Sequence, residues 1–270
     1  MNLEKRLKFY DAGTISYAQL KSLQSKWNQE LVDGTREPTL IAAQVTPEIE
    51  FGANDDRNLF SESGRAYLRQ FHGVDSPYAT AEIVELLAKA KPRGLSVSRA
   101  GRAGGSTIVT PGQYLYFPVI ALPGRDASES VAHTQDMITR IMSVMQDVSR
   151  QFIPADRVAL APLGTSKSIS MESYDLAHVG HDKLYKLGSK GIRLGRYSPS
   201  AGGISRTMVE GGFVFHAESG SIKNFDLIHP CGIPLEKVGV TSFEHVLGRR
   251  IPKAEFDTAV YDAAKKHFYD

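Results

Sequence analysis

Residues 95–122 read LSVSRAGRAGGSTIVTPGQYLYFPVIAL, and their pattern is the clearest indication of the fold class. An apolar segment is followed by a glycine-rich loop over 102–113, and the loop is followed by a longer apolar segment over 114–122. Apolar runs that are rich in valine, isoleucine and aromatic residues and bounded by glycine and proline are typical of strands. The stretch therefore predicts two strands joined by a glycine-rich loop.

Further strands are predicted on both sides of this stretch, at 39–45, 158–163, 191–194 and 212–216. Helices are predicted at 16–32, 79–90, 126–152 and 253–268, where apolar residues recur at helical spacing. The strands and helices do not alternate in a βαβ rhythm, which favours an α+β domain with a mixed or antiparallel sheet flanked by helices. No repeat or low-complexity linker divides the chain, so residues 1–270 are expected to form a single domain.

The composition indicates an ordinary globular protein and argues against several classes of partner. Hydrophobic residues make up 41% of the 270 residues, and the formal net charge of +2 is too small to predict nucleic-acid binding. No apolar run is long enough to cross a membrane, and no apolar segment follows Met1 to form a secretory signal. A single cysteine excludes an intrachain disulfide, so we expect a cytoplasmic protein that binds neither membranes nor nucleic acid.

That single cysteine, Cys231, lies between Pro230 and Gly232. Proline and glycine on both sides predict a turn, which can direct a thiol into a cleft. A neighbouring cation would there favour the reactive thiolate. The other interpretation is an inert buried thiol, which is the more common role of a free cysteine.

The glycine-rich loop is a second candidate site, because glycines let the backbone approach a ligand and its free N–H groups can bind an anion or a polarised carbonyl. It is not a Walker loop, since no Gly-Lys-Ser/Thr follows, and it lacks the spacing of a dinucleotide fingerprint. His178 and His181 are three residues apart without supporting ligands, so we expect surface or loop residues there and no metal site.

Three segments in collinear order resemble the lipoyl(octanoyl) transferase family. The loop resembles the signature Arg-Gly-Gly-x-x-Thr-Tyr-His-Gly-Pro-Gly-Gln, and the matching residues are Arg102, Gly104, Thr107, Pro111, Gly112 and Gln113. Residues 188–195 resemble Lys-Ile-Ala-Ser-Ile-Gly, with Lys190 and Gly195 at the family spacing. Pro230-Cys231-Gly232, followed by Val240-Thr241-Ser242, resembles the family's Asn-Pro-Cys-Gly and its downstream Thr-Ser.

The resemblance implies a lipoate/biotin ligase-like catalytic domain that takes part in protein lipoylation. The implied reaction transfers an octanoyl or lipoyl group from acyl carrier protein to a lysine of a lipoyl domain. The implied acceptors are the lipoyl domains of 2-oxoacid dehydrogenase complexes and the glycine cleavage H protein. Cys231 is implied as the nucleophile that forms the acyl thioester, and Lys190 as its catalytic partner. Conversion of a thioester into an amide is downhill, so no ATP and no cofactor is expected.

The same resemblance implies which residues line the substrate site. They are Arg102, Ala103, Gly104, Gly105, Ser106, Thr107, Ile108, Val109, Arg193, Leu194, Gly195, His216, Ala217, Glu218 and Ser219. The basic run Lys183, Lys186, Lys190, Arg193 and Arg196 is either a solvated face or a docking surface for the acidic carrier protein.

Departures from the family pattern keep alternatives open. Val109 stands where the family has histidine, Ala103 replaces the first glycine, and the family's His-Gly pair survives only as His216-Ala217. These changes affect the pocket wall and hence the acyl preference. The alternatives are an ATP-dependent lipoate/biotin-type protein ligase, which would not need Cys231, and a non-catalytic acyl-carrier-binding homologue.

Overall fold

The computed structural model describes residues 7–51, 60–99, 106–122, 127–160, 176–229 and 238–269. Twelve strands are found in these residues: β1 Lys8–Ile15, β2 Thr39–Val45, β3 Glu48–Phe51, β4 Ser96–Arg99, β5 Ser106–Val109, β6 Gln113–Val119, β7 Ala121–Leu122, β8 Val158–Leu160, β9 Leu176–Val179, β10 Leu184–Tyr197, β11 Arg206–His216 and β12 Val238–Val240. The α-helices are α1 Tyr17–Val32, α2 Glu62–His72, α3 Ala81–Ala90, α4 Ala127–Phe152, α5 Phe243–Leu247 and α6 Lys253–Tyr269. None of the described helices is long and apolar enough to cross a membrane.

A large mixed sheet forms the centre of the molecule. Its strand order is β1-β2-β6-β11-β10-β9-β8, while β7 pairs with β11 and β12 pairs with β10. The β1–β2 and β10–β12 pairs are parallel, and the other pairs in this sheet are antiparallel. The prediction of an α+β fold with a mixed sheet is confirmed.

Helices α4 and α6 cover one face of the large sheet. Their apolar residues enclose a core that includes Tyr116, Phe213 and Phe215 from the strands, Met145 from α4 and Phe256 from α6. The rings of Tyr116 and Phe213 stack with their centroids 5.5 Å apart. Both helices are found where their periodicity predicts them, because a long apolar stripe on one side of a helix must be buried against another layer.

Helix α1 and a second, small sheet cover the opposite face. Helix α1 begins after Ser16, whose hydroxyl accepts a hydrogen bond from the Gln19 N–H while the Gln19 side chain binds the Ser16 N–H. This capping box confirms the start of the predicted helix. The small sheet has the order β4-β3-β5.

The apolar side of the small sheet packs against α2 and α3, where Ile49, Phe51 and Ile108 share a core with Leu68 and Leu87. Strand β5 lies inside the stretch that was predicted as a loop. Its four residues pair antiparallel with β3. The glycine-rich composition around it hid this strand, because only Ile108 and Val109 are strongly apolar.

Strand β10 contains an irregularity that changes which face its side chains occupy. Its register against β9 shifts between Lys186 and Gly188. Leu187 belongs to the core beneath α4, and a Cβ added to Gly188 would lie 3.2 Å from Met145 of the same core. Two successive residues thus face the same side, which is the mark of a β-bulge. Residues before and after the bulge therefore occupy opposite faces.

Candidate functional site

The connection between β5 and β6 is bound to the segment that follows β11. The Thr110 hydroxyl donates a hydrogen bond to the Ser221 carbonyl at 2.8 Å, and the Ala217 N–H donates to the Gly112 carbonyl at 3.1 Å. Gly112 has φ +87°, and a Cβ there would approach Glu218 to 2.9 Å. Glycine is thus required at this turn, both for its backbone conformation and for the close approach.

Strand β5 also contacts the segment that leads to the cysteine. Ser106 is fully buried, and its hydroxyl donates to the His229 carbonyl at 3.2 Å. The preceding residue, Ile228, forms a β-bridge with Phe60. Cys231 follows His229 by two residues and lies outside the described residues, as do Arg102, Ala103, Gly104 and Gly105.

His216, at the end of β11, lies on the face of the large sheet opposite α4 and α6. It is 2% exposed, its Nδ1 donates to the Thr241 carbonyl at 3.3 Å, and its ring packs on Phe225 with centroids 5.1 Å apart. Burial, followed by the nearby charge of Lys186, lowers the pKa of His216 to about 4. The imidazole is therefore neutral at neutral pH.

Lys186 lies beside this histidine, although the sequence pattern assigns it only to the basic run and not to the site. It is 4% exposed, although it belongs to the basic run that was expected on the surface. It lies opposite Val240 of β12, and its carbonyl accepts a hydrogen bond from the Thr241 N–H at 3.0 Å. Lysine is almost never this buried without a specific reason, so a buried lysine in a cluster of sequence motifs is a candidate functional residue.

A signal for Lys186 was present in the sequence. The family pattern Lys-Ile-Ala-Ser-Ile-Gly can also be aligned four residues earlier, on residues 186–191. There it matches Lys186, Ser189 and Gly191, which is one match more than Lys190 and Gly195 provide.

Lys190 lies on the other face of the sheet. It pairs with Phe213 of β11, whose ring belongs to the core beneath α4 and α6. Directly paired residues of antiparallel strands share a face, so the Lys190 side chain starts on the helix-covered side. His216 follows Phe213 by three residues on a regular part of β11, and an odd spacing places it on the opposite face.

Three other predicted substrate residues follow Lys190 on β10 and lie away from His216. The Arg193 guanidinium pairs with Glu210, and Leu194 packs against the core beneath α4. Gly195 pairs with Met208, eight residues before His216 on β11, which corresponds to about 26 Å along the strand. The structure does not bring these residues together with His216.

The residues after His216 take part in supporting contacts. Ala217 is buried in the core, and the Glu218 carboxylate accepts hydrogen bonds from Arg250 and, at 3.0 Å, from the Tyr114 hydroxyl. Burial and this carboxylate raise the pKa of Tyr114 to about 12. The Ser219 N–H donates to the Glu244 carboxylate at 2.7 Å.

The predicted residues of β5 line the two sides of the small sheet. Ile108 packs in the core with α2 and α3, while Val109 packs in the cluster that includes α1. Thr107 pairs with Glu50, a fully buried carboxylate that binds the Lys21 ammonium at 2.8 Å.

Two expectations about surface residues are corrected. The basic run is not one exposed face, because Lys186 is buried and Arg193 pairs with Glu210. His178 is 8% exposed and lies 3.2 Å from Arg157, because β9 turns it toward the interior. Among the described residues no group of histidine and carboxylate side chains could hold a metal ion.

Three proteins with similar sequences are octanoyltransferases, although no protein-family model matches the chain. An octanoyltransferase of Rubrobacter xylanophilus is 26% identical over 260 residues, which is 94% of this chain and 91% of that protein. An octanoyltransferase of Myxococcus xanthus is 29% identical over 66% of this chain. An octanoyltransferase of Desulforamulus reducens is 26% identical over 59% of this chain. The matched region spans only 42% of the Myxococcus protein and 56% of the Desulforamulus protein.

Solved structures with the same fold are lipoate protein ligases. Lipoate-protein ligase A bound with ATP superimposes with a TM-score of 0.55 at 10% identity, covering 99% of this chain and 86% of that chain. The bi-partite lipoate protein ligase of Thermoplasma acidophilum gives a TM-score of 0.54 at 9% identity, covering 97% of this chain and 83% of that chain. At these identities the similarity establishes the fold alone, and it confirms the expected ligase-like architecture.

Proposed function

Since the chain is similar to octanoyltransferases and shares the fold of lipoate protein ligases, we propose that it belongs to the octanoyltransferase family and is an acyltransferase of protein lipoylation. It transfers an octanoyl or lipoyl group to a lysine of a lipoyl-domain protein. One observation carries the proposal: the segments that resemble the family, which are far apart in sequence, meet around His216, Thr241 and Lys186. The whole of residues 1–270 acts as one catalytic domain in this proposal.

The proposed reaction has two steps, both at Cys231. The Cys231 thiolate attacks the thioester carbonyl of the acyl donor, the bond from the acyl carbon to the carrier sulfur breaks, and the leaving thiolate takes a proton from a lysine ammonium. The ε-amine of the acceptor then attacks the acyl-Cys231 thioester. Its proton passes to the same lysine, which is now neutral, and Cys231 leaves as the thiolate. Atoms and protons balance without ATP or a cofactor.

We propose Lys186 for this lysine, in place of the Lys190 predicted from the sequence. Burial supports Lys186, because an ammonium in a site that excludes water stabilises a nearby thiolate more strongly than an exposed one does. Its neighbours support it as well, because Thr241 and His216 belong to family-like segments and lie on the same face of the sheet. Lys190 pairs with Phe213 on the opposite face.

The oxyanion of each tetrahedral intermediate needs hydrogen-bond donors, and backbone N–H groups near Gly104, Gly105 or Gly232 are proposed for this role. These residues lie outside the described part of the chain. Ser106 and Thr110, which frame β5, fix the position of the strand that follows the loop by binding His229 and Ser221.

The proposed donor is octanoyl-acyl carrier protein. The proposed acceptors are lipoyl domains of 2-oxoacid dehydrogenase complexes and the glycine cleavage H protein. We place the reaction in the cytoplasm, where a free thiol stays reduced. Of the basic run, Lys183 and Arg196 remain as side chains for attracting an acidic carrier, and Lys183 also lies over the Tyr185 ring at 5.5 Å.

Mass spectrometry of the intact protein after incubation with octanoyl-carrier protein tests the proposal. We expect one octanoyl adduct on Cys231 that is labile to hydroxylamine, and transfer of that adduct to a lipoyl domain without ATP. Cys231→Ser should remain folded and lose nearly all transfer. Transfer that requires ATP and survives Cys231→Ser would establish the ligase alternative, and carrier binding without any adduct would establish the binding homologue.

A further inference from the structure

Nearly every residue of segment 225–229 is held by packing or hydrogen bonds. The side chains of Phe225, Leu227 and Ile228 are buried in the core of the small sheet. Ile228 also forms its β-bridge with Phe60, and the His229 carbonyl accepts the Ser106 hydroxyl. This segment ends directly before Pro230 and Cys231 in the sequence.

Within this segment the Asp226 side chain, which is 45% exposed, is bound from two sides. Arg93 donates two parallel hydrogen bonds to its carboxylate, at 2.7 Å from Nη1 and 3.0 Å from Nη2. The Ser61 hydroxyl donates to the Asp226 carbonyl, and the same hydroxyl accepts a hydrogen bond from Gly64 at the start of α2. Asp226 thus joins the helix start to the turn after α3.

The backbone at Arg93 is strained in a way that needs an explanation. Arg93 has φ 53° and ψ 27°, the left-handed conformation that disfavours residues other than glycine. Such a conformation is unfavourable and persists only where the surrounding structure imposes it. An exposed ion pair alone contributes little, and the two side chains here are 40% and 45% exposed. The planar two-bond geometry with Asp226 is, however, the strong form of an arginine–carboxylate pair.

We propose that Arg93 and Asp226 form a clamp that positions the segment 225–229 for acyl transfer. Both are positioning residues in this proposal, because they act through the chain that leads to Cys231. The strained turn at Arg93 aims the guanidinium, and the guanidinium fixes Asp226 against the start of α2. This inference rests on the proposed function and adds residues that no family-like segment contains.

The test uses the full chain and its single cysteine, which makes thiol alkylation specific to one residue. Arg93→Asn removes the guanidinium, but asparagine tolerates the left-handed backbone. The variant therefore tests the loss of the ion pair without adding backbone strain. We expect the rate of Cys231 alkylation by iodoacetamide to fall several-fold. We expect the single-turnover acylation rate to fall about tenfold, while KM for the donor changes less than about twofold. Asp226→Asn should reproduce these effects.

Arg69→Asn is the matched control, because the Arg69 side chain is 41% exposed, like that of Arg93, and its ion-pair partners Glu62 and Asp75 lie outside the segment. It should leave alkylation and acylation unchanged. The double variant Arg93→Asp with Asp226→Arg restores an ion pair and should recover part of the lost rate. Unchanged alkylation and acylation in Arg93→Asn, or losses that merely follow the melting temperature in both arginine variants, would overturn the clamp. Because alkylation needs no acyl substrate, it tests the clamp even if wild-type protein transfers no octanoyl group.

Discussion

Strand β10 carries two lysines four residues apart, Lys186 near its start and Lys190 in its middle, and their surroundings differ. At its start, Lys186 is 4% exposed beside His216 and the backbone of Thr241. Further along, Lys190 is paired with Phe213 on the face covered by α4 and α6. In a regular strand a spacing of four would place both lysines on one face.

The β-bulge at Leu187 and Gly188 produces the difference. One extra residue on a strand shifts every later side chain to the other face, and bulges often re-aim a side chain next to a functional site. A lysine on such a strand therefore cannot be assigned to a site from its spacing to a glycine alone. The bulge determines which face of the sheet each lysine side chain occupies.

The largest expected effect is the difference in octanoyl-transfer activity between a Lys186 variant and a Lys190 variant. Lys186→Met keeps the length of the side chain but removes the ammonium, and we expect kcat/KM for octanoyl transfer to fall about 10²- to 10³-fold, since proton transfer is lost. Lys190→Met should change kcat/KM less than about threefold. Steady-state assays of both variants, with circular dichroism as the control for folding, measure this. A larger loss in Lys190→Met than in Lys186→Met would return the catalytic role to Lys190.

The next largest effect is expected in the pH dependence of stability, because the buried His216 lies beside Lys186. The pKa of His216 is lowered to about 4 in the folded protein from an ordinary value of 6.5. The unfolded chain therefore binds a proton first as pH falls from 6.5 toward 4, and the native state loses up to about 3 kcal/mol over that range. Above pH 6.5 the contribution is fully retained.

The measurement is urea unfolding of wild type and His216→Gln between pH 4 and pH 7. The variant should show a flatter decline in stability across this window, whereas His181→Gln, at an exposed site, should follow wild type. Parallel profiles for wild type and His216→Gln would contradict the burial of a neutral imidazole.

Gly188, in the bulge, and Gly191, beyond it, differ in how closely neighbouring atoms pack around them. A Cβ on Gly188 would collide with the Val214 carbonyl, whereas a Cβ on Gly191 would meet nothing within 4 Å. Gly188→Ala should thus cost about 1–3 kcal/mol of unfolding free energy. Gly191→Ala should stay within about 0.5 kcal/mol of wild type. Equal losses of unfolding free energy in the two variants, measured by chemical denaturation, would contradict the close packing at the bulge.

The smallest effect is expected at the far end of β10. The Arg193 side chain is 64% exposed where it pairs with Glu210, so Arg193→Ala should cost less than about 1 kcal/mol. Octanoyl transfer should also continue at nearly the wild-type rate. A large loss of transfer without a loss of stability would restore Arg193 to the substrate site that the sequence predicted.

The sequence predicts the regular elements wherever their pattern is local. Helices α1, α4 and α6 and strand β2 are found where expected, because helical periodicity and the Ser16 cap act within a few residues. Strand β1 was missed because it is an edge strand with much of its surface exposed. Helix α2 was missed because Gly64 lies in its first turn. The structure requires that glycine, since a Cβ there would collide with the Leu227 carbonyl.

The candidate site could be predicted only in part. The family-like segments identify Ser106 to Gln113, His216 and the Cys231 turn in sequence order, and the described parts of them meet in space. The family pattern matches one residue more at Lys186 than at Lys190, but the face that each lysine occupies is set by the bulge, which depends on the packing of β10 against β9 and α4. Residues Arg93 and Asp226 carry no local signal, since their pairing joins chain segments 133 positions apart.

The pH dependence of Cys231 alkylation measures the pKa of the thiol whose thiolate form Lys186 is proposed to stabilise. Wild type and Lys190→Met should show the same apparent thiol pKa, below the ordinary value of about 8.5. Lys186→Met should raise that pKa by about one unit or more. A pKa shift in Lys190→Met alone, or identical profiles in all three proteins, would contradict the assignment of Lys186.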